Sequence, residues 1–315
     1  MNKLSQIIVL SGVMFAGHVL AGEKVDSSLP IEGVMGVSIE NIRGHVHVIG
    51  SSRDTVSVKG ELEEEAEKFI FEKSGNQINV KVKVPQKHNH GRNDDGSHLT
   101  VYVPENMAIN FQGVSSDFTV ENISHSVDAR TVSGDIKATD LSKDIELESV
   151  SGNVVAKALS GKIMLSSVSG DVKDFDSSGR IQLKVISGSI DTVSSAKEVS
   201  LNGVSGDIEF NLSQVEDLNI NVVSGDAEGK INLINNGRVK MSGVSSDLDL
   251  DFTNDVQASF KLNASAGGRI INNLTNDEVK RAKYGPSSKI KFSTGNGSAS
   301  VKASVVSGTI KVSRD

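Results

Sequence analysis

From Val114 to Asp247 the chain alternates apolar and polar residues in short bursts, and the bursts recur. In VSGDIKATDLSKDIELES, starting at Val132, Ile136 and Ala138 alternate with polar neighbours, Leu141 follows a turn, and Ile145, Leu147 and Ser149 alternate again. The next stretch fills the same slots with Val154, Ala156, Leu159, Ile163, Leu165 and Ser167. A period of two places such residues on one face of short strands. A single tetrapeptide opens each burst: VSSD at Val114, VSGD at Val132, VSGN at Val150, VSGD at Val168, ISGS at Ile186, VSGD at Val204 and Val223, and VSSD at Val244. The first five intervals are 18 residues, followed by 19 and 21. A fixed period of this length marks stacked supersecondary units. The pattern therefore predicts an all-β, single-stranded parallel β-solenoid (a β-helix) with rungs of about 18 residues, whose interior is a column of Val, Ile, Leu, Ala and small Ser. The glycine of VSGD is expected to supply the positive φ of a tight corner, and the aspartate after it to bond nearby backbone N–H groups. A helical alternative fits poorly, because β-branched residues dominate the core slots and Gly recurs too often.

Outside this core the pattern loosens. Between Gly33 and Val103, period-two runs such as Val46 and Val48, Ile78 to Val84, and Leu99 to Val103 are separated by Gly, Ser, Asn and Asp turns. Residues 22–113 are thus expected to form an irregular β cap, with the acidic run Glu61 to Glu67 as a charged turn leading into a hairpin. Regular rungs are expected over 114–264, and longer coils with a second cap over 265–315. Within the latter, Thr275 to Pro286 carries an N-cap, an acidic first turn, a basic last turn and a Gly-Pro stop, which predict one short helix.

The N-terminus changes the picture most. Lys3, the apolar run Ile7 to Leu20 and the small residues ending at Ala21 predict a secretory signal, residues 1–21, cleaved after Ala21. That run is too short and too broken by Ser11, Gly12, Gly17 and His18 to be a good membrane span. No integral membrane segment is expected after its removal, and a periplasmic or extracellular location follows. The chain has no cysteine, hence no disulfide, no thiolate metal site and no lipoprotein anchor. The net charge of -7, without a basic cluster, argues against nucleic acid and anionic lipid surfaces. Aromatic residues make up 4% of the chain, and there is no Trp, which disfavours aromatic sugar platforms.

Candidate chemistry is sparse. His45 and His47 share a strand face, and the loop Pro85 to His98 adds His88, His90 and His98 with Asp94 and Asp95; imidazoles with carboxylates suit zinc, copper or nickel, although the spacing matches no closed-site signature. Asp117, Asp135, Asp171, Asp207, Asp226 and Asp247 recur at one corner, where capping is the simpler reading and a calcium ladder the sharper one. No Ser-His-Asp set, HExxH or phosphate loop is present, so no catalytic residue and no cofactor is assigned. The serines and threonines on the outer rung positions form, as an array, the candidate interaction surface.

The export signal, Ile42-Arg43-Gly44-His45-Val46-His47-Val48, the lead-in Val101-Tyr102-Val103-Pro104, the tandem VSGD rungs and the closing Ser293-Thr294-Gly295-Asn296-Gly297-Ser298 with VSGTIKV resemble the bacterial putative-adhesin family of β-strand-repeat envelope proteins. The resemblance implies a β-solenoid at the cell envelope, adhesin-like, with no catalytic residues to carry over. The expected function is a non-enzymatic scaffold that holds an envelope protein or a surface glycan. The rival readings are a periplasmic accessory protein of envelope-stress or regulatory signalling, and a polysaccharide-modifying enzyme.

Overall fold

The structure, a computed structural model, describes residues 22–85 and 95–314. Every regular element among them is a β-strand. Successive repeats pair in parallel and in register. Ile145 lies beside Ile163, then Ile181, Val199, Leu218 and Val239 in turn. A second file runs through Ile136, Val154, Val172, Ile190, Ile208, Ala227 and Leu248. Each repeat thus contributes two strand segments, one before and one after its VSGD corner; we call these face 1 and face 2. Both files are buried, none of their members more than 3% exposed, and they belong to one hydrophobic core. Aromatic rings show the two faces meeting: Phe111 on face 1 stacks on Phe118 on face 2 with centroids 4.2 Å apart.

The corners differ from the expected geometry in an informative way. Positive φ occurs at only some VSGD glycines, Gly206 at 140° and Gly225 at 118°, and not at Gly134, Gly152, Gly170 or Gly188. The left-handed positions lie mainly at the opposite corner, in the column Asn122, Asp140, Ala158 and Asp176. Glycine is required at VSGD because the coils touch there: a Cβ on Gly152 would lie 1.9 Å from the carbonyl oxygen of Gly134, and one on Gly170 2.2 Å from that of Gly152. The inward serines tie the same contact. Ser149 Oγ donates to the Gly134 carbonyl at 2.9 Å, and Ser167 Oγ to that of Gly152 at 2.8 Å.

The ends are built out of chain order. Strand Gly36–Ser51 pairs in parallel with Ala108–Ile123 on one side and with Gln77–Lys83 and Ser97–Pro104 on the other. Antiparallel strands then close this end: Lys68–Ser74 against Gln77–Lys83, and Lys24–Pro30 against Thr55–Glu61, which itself lies against Ser97–Pro104. At the other end, Ala299–Ser307 and Thr309–Arg314 insert between the coil of Ala227–Ser245 with Leu248–Phe252 and the coil of Ala258–Ala264 with Arg269–Asn272. The last stretch of sequence is therefore an interior coil. Antiparallel Ser288–Ser293 covers the outside, with Phe292 stacked on Phe260 at 4.5 Å.

The helix expected over Thr275 to Pro286 does not form. The stretch is an exposed turn followed by the short strand Lys280–Arg281, which pairs with Ser288–Ser293. With only Leu274 and Val279 packed against the core, no apolar face offsets the cost of nucleating so short a helix. The Asn272 amide instead holds the turn, donating to Thr275 Oγ1 at 3.0 Å.

Candidate functional site

Counting by twos from the buried Ile145, Leu147 and Ser149 puts Val150, the first residue of its VSGD-type corner, on the outside. The structure repeats this at every coil that carries the motif. Val114, Val132, Val150, Val168, Ile186, Val204, Val223, Val244 and Val306 are all among the exposed large hydrophobics, between 37% and 48% exposed. Since Ser245 pairs with Ser307, Val306 continues the row directly from Val244. Isolated exposed aliphatic residues are unremarkable; nine in one file form an apolar ridge.

Beside the ridge runs a groove on face 1. Its floor is the small inward slot before the ridge residue, including Thr131, Ser149 and Ser167, and its far wall is the outward row Gln112, Arg130, Glu148, Ser166 and Lys184. This stretch encloses about 670 Å³. The groove continues for a further 370 Å³ over Gly203, Val222 and Gly243, walled by Val204, Val223 and Val244 and by Asn202, Asn221 and Ser242. The charge along it is uneven. Arg130 is gathered by Asp128, Glu146 and Glu148 at 3.3, 2.7 and 3.2 Å, and burial pushes the Asp128 carboxyl above its ordinary range while Arg130 opposes that shift. Farther along, uncharged amides take over, with Asn221 Nδ2 donating to Asn202 Oδ1 at 3.0 Å.

On the other flank of the ridge, at the start of face 2, the corner aspartates form a hydrogen-bonded ladder. Asp117 Oδ1 accepts from the N–H of Asp135 at 2.8 Å, Asp135 Oδ1 from Asn153, Asn153 Oδ1 from Asp171, and Asp171 Oδ1 from Ser189. It resumes from Asp207 to Asp226 and from Asp226 to Asp247, and Asp247 accepts from Thr309 at 2.7 Å. Each side chain caps the backbone of the next coil. The Ser189 N–H and hydroxyl hold the Asp171 carboxyl below its ordinary range.

The histidines divide. His98, His45 and Asp117 stand in register on three neighbouring strands, with His47 beside His45 at a ring distance of 6.4 Å. His47 Nε2 is 3.0 Å from Glu121 Oε1. Burial lowers the His45 pKa, against the pull of Asp117 and reinforced by His47, His98 and Lys137. No three His, Asp or Glu side chains among the described residues are gathered to hold a metal ion. His88 and His90 lie outside the described residues, as does the segment 1–21.

One buried acid was not singled out from the sequence. Asp174 occupies an inward slot between Ala156 and Thr192 and is fully buried. Ser177 Oγ donates to its Oδ1 at 2.5 Å and Thr192 Oγ1 to its Oδ2 at 3.1 Å. Burial pushes its carboxyl up to about 6, only partly countered by these two hydroxyls. The clue in the sequence was an aspartate in a slot that the neighbouring coils fill with Ala138, Ala156, Thr192 and Phe210.

Residues 36–313 match the Toastrack DUF4097 family model. The chain belongs to this family. No curated protein matches. Among solved structures, a putative adhesin from Parabacteroides distasonis is 15% identical, with a TM-score of 0.45 over 94% of this chain and 100% of that one. A putative adhesin from Bacteroides fragilis is 12% identical, with a TM-score of 0.39 over 92% and 97%. A putative lipid binding protein from Parabacteroides distasonis is 14% identical, with a TM-score of 0.45 over 73% and 98%. No helix among the described residues is long and apolar enough to cross a membrane.

Proposed function

We propose that this Toastrack protein is an exported, non-enzymatic β-solenoid scaffold of the cell envelope, adhesin-like, that binds through the ridge and groove along its VSGD corner. The observation that carries this reading is the unbroken file of nine exposed aliphatic residues beside a groove that follows it from Gln112 to Val244. Such a site binds by many modest contacts spread over several coils and does not enclose a small substrate. Its lining is aliphatic, Ser, Asn and Gln with a few charges, and includes no histidine. The secretory pattern at Met1 to Ala21 supports export.

Two measurements test this. Cell fractionation of the full chain and of a chain lacking residues 1–21 should show envelope or extracellular protein only for the first; equal cytoplasmic retention of both removes the envelope reading. Immobilised mature protein should capture material from envelope fractions, and the double variant Val168→Asp, Val204→Asp should lose it while keeping its β circular dichroism. Undiminished capture by that variant would move the binding surface elsewhere.

A further inference from the structure

Resting on the reading of this groove as the interaction surface, we propose that its occupant is the ridge of a second copy of the same chain, with the two stacks parallel about a twofold axis that runs along them. A file of aliphatic side chains repeating at about 4.8 Å is matched along its whole length only by a surface with the same repeat, and a second copy has it. The side of the ridge on which the groove lies selects the axis. Rotation about the stack direction carries the groove to the opposite flank, so each ridge enters the other's groove. Rotation about an axis across the stack leaves both grooves on one flank and sets ridge against ridge.

Charge selects the same axis. The hydrogen-bonded aspartate ladder flanks the ridge on the side away from the groove. A lengthwise axis lays that ladder over the partner's groove wall, which in the middle of the stack is Asn202, Asn221, Ser166 and Lys184. An axis across the stack would set two acidic ladders side by side. Nine coils span about 40 Å at the strand spacing. A contact of that length roughly 15–20 Å wide covers about 600–800 Å² per copy, close to what a standard stable interface needs.

The absence of cysteine makes the test clean. Sedimentation velocity of the mature protein should show a dimer, and Val168→Asp with Val204→Asp should weaken it roughly a hundredfold, since each copy would bury two unpaired carboxylates. Single variants Val132→Cys, Val168→Cys and Val223→Cys should each cross-link to themselves with a short bifunctional maleimide, because a lengthwise axis keeps every coil opposite its own copy. Cross-linking at one position only would overturn the parallel arrangement. A monomer at the highest soluble concentration with no cross-linking at any position would overturn self-association. If in that case the double Asp variant still loses capture of envelope material, the groove remains the interaction surface with a different occupant; if capture is also unaffected, both readings fail.

Discussion

The middle of the stack and its two ends use the same strands and the same core, yet they are specified differently. In the middle, each strand pairs with the strand one repeat away: Ile145 with Ile163, Ile163 with Ile181. At the ends, partners are distant and out of order: Val239 pairs with Val301, and Val46 with both Leu99 and Phe118. A translational repeat is self-propagating and would go on accepting strands, whereas its ends must stop. Here each end does so with antiparallel strands laid over an out-of-order coil. Cooperativity is therefore expected to be loose in the middle and tight at the ends.

The sharpest way to break this comparison is to remove whole coils from each of the two regions, fewer residues from the end than from the middle. Deleting residues 299–315 takes out a coil held on both sides, with Val301, Val305, Ile310 and Val312 all buried. This should cost on the order of 5–10 kcal/mol and leave the C-terminal end unfolded, visible as a large fall in thermal midpoint and as new proteolysis between residues 258 and 293. Deleting Val150 to Val185, two whole repeats, should leave a folded protein with nearly unchanged circular dichroism per residue. Equal damage from the two deletions would show that the ends are not special.

Next in size is a charge within the middle. Leu147 is fully buried on face 1, beside Leu165 of the next coil, and Leu147→Asp should cost about 3–5 kcal/mol in denaturant unfolding. Unchanged stability would mean that this face is not packed as described. Gly152→Ala tests the corner contact on its own: the added Cβ meets the Gly134 carbonyl at 1.9 Å, so a loss of about 2–3 kcal/mol is expected. Gly267→Ala, where nothing lies within 4 Å but φ is 90°, separates conformational strain from contact and should cost less.

The smallest effect depends on pH. The unfolded Asp174 carboxyl releases its proton near pH 4, the folded one at about 6. Between these values the folded chain holds the extra proton, so stability contributed by Asp174 is greatest below pH 4 and falls as pH rises to about 6, by about 3 kcal/mol in total. Asp174→Asn should accordingly gain about 1–2 kcal/mol at pH 7 and almost nothing at pH 4, after allowing for imperfect replacement of the bonds from Ser177 and Thr192. A pH-independent difference between the two proteins would place the titration elsewhere.

The repeat, its two-residue alternation and its Gly and Ser corners were legible in the chain, because a stacked coil needs only its own period to find its neighbour. Even the exposed ridge lay within that reach: the parity that buries Ile145, Leu147 and Ser149 turns Val150 outward, although a valine read alone suggests core. The role of the corner glycine did not follow from local turn rules, since what excludes a side chain at Gly152 is the carbonyl of Gly134 in the previous coil. The helix signals at Thr275 to Pro286 were local and were overridden, because Val279 is the only side chain within that stretch packed against the core, too little to stabilise a helix. The placement of Ala299–Ser307 inside the stack, of Gly36–Ser51 between later strands, and of the groove beside the ridge was decided only by tertiary structure. Each depends on which distant strand offers unpaired backbone groups and an apolar face, a competition among non-local partners that no short window of sequence contains.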